Sequence, residues 1–170
     1  GKLLCSFDGD GDRIVFHAFL PSVPQWILLD GDKIAALMAM LLQQELAASG
    51  LAESFNAAVI QTAYANGAST AFIHSLGMPI YMAKTGVKYL HHKAQEFDVG
   101  VYFEANGHGT VVFSERFVKA VEKYSPTSTD EKSRQDIAYA RLKASIKLIN
   151  PAVGDALSDM LYCLAALLVY

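Results

Sequence analysis

The chain has 170 residues, 52% of them hydrophobic and 18% charged, a composition that supports one sizeable core and excludes intrinsic disorder. Lys and Arg number 14 against 17 Asp and Glu, so there is no basic surplus to attract a nucleic-acid backbone. The longest strongly apolar runs, 34–42 and 160–170, are well short of the ~20 residues that a transmembrane helix requires. Cys5 and Cys163 are far apart in apolar text, which reads as reduced packing cysteines in a cytoplasmic protein rather than a disulfide framework.

In chain order, Lys2 to Phe7 and Ile14 to Phe19 are apolar and β-rich, and read as consecutive strands. Between them stands Phe7-Asp8-Gly9-Asp10-Gly11-Asp12-Arg13. Three carboxylates this close repel one another, and a carboxylate taken out of water is costly unless paired, so the loop calls for a cation or several strong donors. Oxygen ligands suit a hard divalent ion, and the glycines let alternate side chains converge on one point. An acidic turn held by backbone hydrogen bonds needs only one or two such residues. An EF-hand also begins Asp-x-Asp-x-Asp, but it requires Gly where Arg13 stands and Glu where Phe19 stands. A phosphatase of the haloacid-dehalogenase type remains open, with Asp8 as nucleophile, although Asp12 stands where that family usually has Thr or Val.

Pro21 to Gln25 reads as a turn and Trp26 to Leu29 as a short strand. Asp30 or Asp32 can cap a helix over about 33–48, apolar almost all round and ended by Gly50. From Ala57 the rhythm is strand, loop, helix: strands over 57–62, 78–83 and 98–103, helices over 69–76 and 87–97, and a fourth strand over 110–114. This alternation predicts an α/β fold, a mixed, largely parallel sheet flanked by helices, with sites gathered at the carboxyl ends of its strands. A Ser/Thr/Pro linker over 124–129 precedes a helix over 130–150 with Ile137, Leu142, Ile146 and Ile149 near one face. Pro151 breaks it, and 154–170 begins another helix.

Several loop residues are candidates for ligand contact. Phe103-Glu104-Ala105-Asn106-Gly107-His108-Gly109 sets a carboxylate, an amide and an imidazole at alternate positions, groups that hydrogen-bond sugar hydroxyls; a polar hairpin turn explains it equally well. Lys84 and Lys88 flank a strand-to-helix turn where an anion could sit, and Asn66 ends a strand near the same edge. His91 and His92, adjacent on a helix, point about 100° apart and make a poor chelate, so they read as surface or capping residues.

Taken together, F-D-G-D-G-D-R and the later F-E-A-N-G-H-G resemble the metal-binding and sugar-binding loops of the α-D-phosphohexomutases, with Asn106 where that family usually has Ser. T-A-Y-A-N-G and K-T-G-V-K-Y-L-H-H-K-A extend the likeness toward the branch that acts on N-acetylglucosamine phosphates. The resemblance implies that Asp8, Asp10 and Asp12 hold Mg²⁺ and that Arg13 orients the phosphoryl group. It further implies that Glu104, Ala105, Asn106 and His108 contact the sugar, together with Asn66, Lys84 and Lys88. The implied ligand is N-acetylglucosamine 6-phosphate or 1-phosphate, and the implied setting is UDP-N-acetylglucosamine biosynthesis. The family's phosphorylated serine and its last phosphate-binding loop match nothing here, so residues 1–30 are expected to be the end of a metal-binding α/β domain and 31–170 a truncated sugar-binding domain, packed against missing domains and inactive alone. A non-catalytic carbohydrate-binding module is the other alternative.

Overall fold

A computed structural model describes residues 2–126 and 133–169. Strands β1 (Leu3–Phe7), β2 (Ile14–Leu20) and β3 (Gln25–Leu29) form an antiparallel sheet in that order. Alternation along β2 buries Ile14, Phe16 and Ala18 on one face, while Phe19 is turned outward, as a strand's two-residue period demands. The Asp-rich loop is therefore the hairpin connection between β1 and β2.

Helix α1 (Gly31–Ser49) follows. Of the two candidate caps it is Asp30 that serves, its Oδ1 accepting from the Lys33 N–H at 3.2 Å. Gly50 closes the helix with φ 78°, a left-handed conformation that glycine adopts without penalty. The helix is buried on several sides, with Ile34, Met38, Leu42 and Leu46 in the core.

The second sheet comprises β4 (Ala57–Gln61), β5 (Ile80–Met82), β6 (Val99–Phe103) and β7 (Gly109–Phe113), in order β5-β4-β6-β7. β4 is parallel to β5 and β6, and β7 is antiparallel to β6, the mixed, largely parallel sheet expected. Helices α2 (Gly67–Ser75) and α3 (Val87–Ala94) provide the crossovers. One face of the sheet gives Val59, Val101, Phe103 and Val111 to a core shared with α1 and with Ile14 and Phe16 of β2. The other gives Ala58, Ile60, Tyr102 and Val112 to a smaller core with Leu90 and Ala94 of α3.

Helix α4 (Glu115–Lys123) was not anticipated. Phe117 and Val121, one turn apart, are its buried anchors and its charged residues lie on the other face, an amphipathic pattern that the sequence carries and the reading overlooked. Its start is also written in Ser114, whose Oγ accepts from the Phe117 N–H at 3.1 Å. Helix α5 runs over Arg134–Leu148, with a Ser133 and Asp136 capping box, so the expected helix over 130–150 is corrected at both ends: Ser133 is its extended N-cap and Ile149 its extended C-cap. Its expected residues 130–132, and 127–129 of the expected linker, lie outside the described residues. Ile137 is exposed, and the buried face is Ala138, Tyr139, Leu142 and Ser145. Helix α6 (Ala156–Val169) starts after Gly154 and Asp155; Tyr170 lies outside the described residues.

No helix among the described residues is long and apolar enough to cross a membrane. Cys5 and Cys163 are both free. Cys163 is buried beside Asp159, and burial with that neighbouring charge pushes its thiol up to about 12.

Candidate active site

The β1–β2 connection folds around Asp8. Its Oδ1 accepts from the backbone N–H groups of Gly11, Asp12 and Arg13 at 3.2, 3.1 and 3.2 Å. Desolvation works to raise the Asp8 carboxyl, but the backbone hydrogen bonds from Arg13 and Asp12 outweigh it and hold the group below its ordinary range. Asp12 is moved the other way, by desolvation and by the charges of Asp10 and Asp8, against the pull of His108. One oxygen of Asp12, Oδ1, is buried without a hydrogen-bond partner. Carboxylate oxygens of Asp8, Asp10 and Asp12 all lie within 4.8 Å of one another. Arg13 lies over the pair, its Nε 3.6 Å from Asp8 Oδ2 and from Asp12 Oδ1. A converging set of hard oxygens, one of them buried with an ion-pair neighbour but no hydrogen bond, fits a divalent cation.

The second loop is the β6–β7 hairpin, closed by the Glu104 N–H to the His108 carbonyl at 2.8 Å and the Gly107 N–H to the Glu104 carbonyl at 2.9 Å. Asn106 Oδ1 accepts from the His108 N–H at 2.9 Å, and Glu104 Oε1 accepts from the Gly86 N–H at 3.0 Å. Glu104 thus ties the hairpin to the Lys84-Thr85-Gly86 turn, and Asn106 holds the conformation of its own loop. The polar-turn reading is correct in these contacts, and the Asn106 Nδ2 group also donates to Glu104 Oε2 at 3.5 Å.

The two loops, from different sheets, are joined through the backbone. Arg13 and His108 form an isolated antiparallel bridge, the Ile14 N–H donates to the Gly107 carbonyl at 3.2 Å, and His108 Nε2 is 3.6 Å from Asp12 Oδ2. On the opposite side the Gly31 N–H donates to the Ala105 carbonyl at 3.1 Å. These approaches need residues without side chains: a methyl at Gly107, where φ is 88°, would overlap the Ile14 carbonyl, and one at Gly31 would overlap the Glu104 carbonyl.

The remaining candidates are dispersed around this junction. Lys88 lines a cavity of about 350 Å³ with Asp12, His108, Tyr102 and His91, and its ammonium sits 5.0 Å from the Tyr89 ring centre. Lys84 is exposed at the β5–α3 turn. Asn66 caps α2, Oδ1 accepting from the Ala68 N–H at 2.9 Å, while its own N–H donates to the buried Asp32 carboxylate at 2.8 Å. The histidine pair divides: His92 is exposed, whereas His91 is half-buried with Nδ1 2.9 Å from the Tyr102 hydroxyl, and both line the cavity. Sequence reasoning missed Asp32, Tyr102 and Gly154 at this junction. Asp32 had its signal in the Asp30-Gly31-Asp32 run, where only one acid can be the cap.

Comparison with known proteins agrees with this geometry. Residues 30–170 match the family model described as phosphoacetylglucosamine mutase AMG1, domain III. The chain is 48% identical over 170 residues to the phosphoacetylglucosamine mutase of Saccharomyces cerevisiae, covering 99% of this chain and 30% of that protein. With the Homo sapiens enzyme of the same name it shares 51% over 158 residues, 92% of this chain and 28% of that protein. Among solved structures, Aspergillus fumigatus N-acetylphosphoglucosamine mutase in complex with GlcNAc-6P and magnesium superposes with a TM-score of 0.89 at 46% identity, over 96% of this chain and 32% of that one. An apo-form N-acetylglucosamine-phosphate mutase, described as a member of the alpha-D-phosphohexomutase superfamily, gives 0.91 at 43%, over 99% and 36%. The chain spans about 30% of the length of these curated relatives. With its two motifs joined in one site and its sequence matched along nearly its whole length, the chain belongs to the phosphoacetylglucosamine mutase family.

Proposed function

We propose that this chain is the metal-binding and sugar-binding part of a longer isomerase, a phosphohexomutase that interconverts N-acetylglucosamine 6-phosphate and N-acetylglucosamine 1-phosphate. The observation that carries the reading is the junction itself: a triple-aspartate loop and a sugar-type loop sharing a backbone bridge between Arg13 and His108. Phosphoryl transfer needs charge neutralisation and alignment more than covalent chemistry from the protein, and both are arranged here within one site.

Asp8, Asp10 and Asp12 would hold Mg²⁺, which supplies Lewis-acid neutralisation of the phosphoryl oxygens when bound. Arg13 adds a second positive charge at the same place and aligns the phosphoryl group. Glu104 accepts from sugar hydroxyls through Oε2, Asn106 donates through its amide, and the Ala105 backbone completes the loop. Asn66, its Oδ1 spent on the α2 cap, keeps Nδ2 for the substrate, and Lys84, Lys88 and His108 supply positive or donor groups at the rim. The transferred group would come from a phosphoserine outside this chain, pass to the sugar to give a 1,6-bisphosphate, and return to the serine from the other oxygen. The chain alone therefore turns over nothing.

We also assign residues 1–30 to the metal-binding domain and 31–170 to the sugar-binding domain, and place the protein in the cytoplasm in UDP-N-acetylglucosamine biosynthesis. The direct test is a coupled assay of the full-length protein with N-acetylglucosamine 6-phosphate and Mg²⁺, with and without Asp10→Asn. Turnover that is lost in the variant is expected. A beryllofluoride adduct on Asp8, with phosphate release and no isomerisation, would show a phosphatase instead, and sugar binding indifferent to phosphate and to Asp10→Asn would show a carbohydrate-binding module.

A further inference from the structure

The segment before α6 meets both loops at once. Gly154 faces the His108 imidazole and the Asp12 backbone. A methyl there would stand 2.7 Å from His108 Cδ2, 2.9 Å from Nε2 and 3.1 Å from the Asp12 carbonyl oxygen. Two residues on, the buried Ala156 N–H donates to the Gly11 carbonyl at 2.9 Å. That start is itself fixed. Asp155 Oδ1 accepts from the N–H groups of Leu157 and Ser158 at 3.1 and 3.3 Å, and Tyr162, Cys163 and Ala166 seat the helix in the main core.

We infer that Gly154 is a positioning residue of the mutase site, its bare backbone leaving the space in which the His108 ring lies against Asp12, so that the first turn of α6 fixes the spacing between the metal loop and the sugar loop. The inference rests on the mutase reading for its effect on the reaction, but its geometric half stands on the contacts alone. Gly11 is held by its carbonyl, and a methyl at Gly154 would press on both the His108 ring and the Asp12 carbonyl, so a residue that expands here moves the metal loop, the imidazole, or both. The ring is the more movable of the two, being a side chain, whereas Asp12 presents backbone.

Two measurements test this. On the full-length protein with selectively labelled glycine, aspartate and histidine, NMR should show a nuclear Overhauser contact between the Gly154 Hα and the His108 ring, and Gly154→Ala should displace the His108 ring signals and the Gly11 and Asp12 amides. On the full-length enzyme, Gly154→Ala should lower kcat at least tenfold while KM changes less than threefold. In a His108→Ala background the same change should cost less than twofold further, because the space claimed by the ring has been vacated; such non-additivity is the mark of residues acting through one contact. If Gly154→Ala alone fails to fold, a double variant that folds with the melting temperature of His108→Ala supports the proposal equally. A double variant whose loss equals the product of the two single-variant losses, or unmoved His108 signals, would overturn it. A parent enzyme without mutase turnover, with the NMR contacts present, would overturn the mutase reading and leave the geometric assignment standing.

Discussion

His108 Nε2 lies 3.6 Å from Asp12 Oδ2, and the backbone of His108 is bridged to Arg13, the next residue after that aspartate. A ligand-type carboxylate on one sheet and a loop imidazole on the other are thereby held as one surface. Metal and sugar binding should accordingly report on each other.

Asp10 is exposed and Asp8 is held by three backbone N–H groups, so Asp10→Asn should leave the fold intact while weakening the cation. The expected loss of Mn²⁺ affinity, read by electron paramagnetic resonance, is at least about tenfold, since even outer-shell partners of bound metals carry that much. An unchanged melting temperature must accompany it. Unchanged affinity would remove Asp10 from the ligand set.

Glu104→Gln retains an oxygen to accept from Gly86 but loses the charge that strengthens hydrogen bonds to hydroxyls. Charge-assisted hydrogen bonds contribute about 1.5–3 kcal/mol, which is roughly 10–100-fold in Kd. Calorimetry of the full-length protein with N-acetylglucosamine 6-phosphate should show a loss in that range; parent-like affinity would exclude Glu104 from the sugar contact.

Asn66 separates a cap from a contact. Asn66→Ala should destabilise the chain by about 1 kcal/mol, the usual cost of an N-cap. Asn66→Asp keeps the capping oxygen, replaces the Nδ2 donor and adds a negative charge that a helix N-terminus tolerates, so the melting temperature should hold while affinity for the sugar phosphate falls a few-fold. A melting temperature that falls equally in both variants would contradict the capping assignment.

Asp159 gives a pH signature. It is fully buried on α6, neither oxygen has a hydrogen-bond partner, and burial, with the Asp155 charge, raises its carboxyl from 3.8 to about 8. The folded state therefore holds a proton that the unfolded chain releases, and stability falls as pH rises from about 4 to about 8. Asp159→Asn removes that dependence. Its melting temperature should exceed the parent's at pH 8.5 and the difference should shrink toward pH 4; a variant less stable than the parent at pH 8.5 would refute the assignment.

Much of this was readable from the chain because the informative residues are local. Asp8, Asp10 and Asp12 sit in one hairpin, as do Glu104, Asn106 and His108, and alternation over 57–103 carries the parallel strands. What was not readable depends on packing between distant segments. Ile137 faces solvent because Ala138, Tyr139 and Leu142 set the buried side of α5, whereas the amphipathic text of α4 was legible and was overlooked. Gly154 is one glycine among 12, and nothing in its neighbourhood foretells the imidazole it faces. The meeting of the β1–β2 loop with the β6–β7 hairpin likewise depends on backbone contacts between segments far apart in the sequence.

The most direct test of the joined site is paramagnetic broadening by Mn²⁺ in the isotope-labelled chain. The account predicts that amides of 8–13 broaden first, together with those of 104–109 and 154–156, which are distant in sequence and brought to the metal loop by the Arg13–His108 bridge and by the hydrogen bonds of Ile14 to Gly107 and Ala156 to Gly11. Broadening confined to 8–13, or scattered over other surface carboxylates such as Glu53 and Glu115, would contradict it.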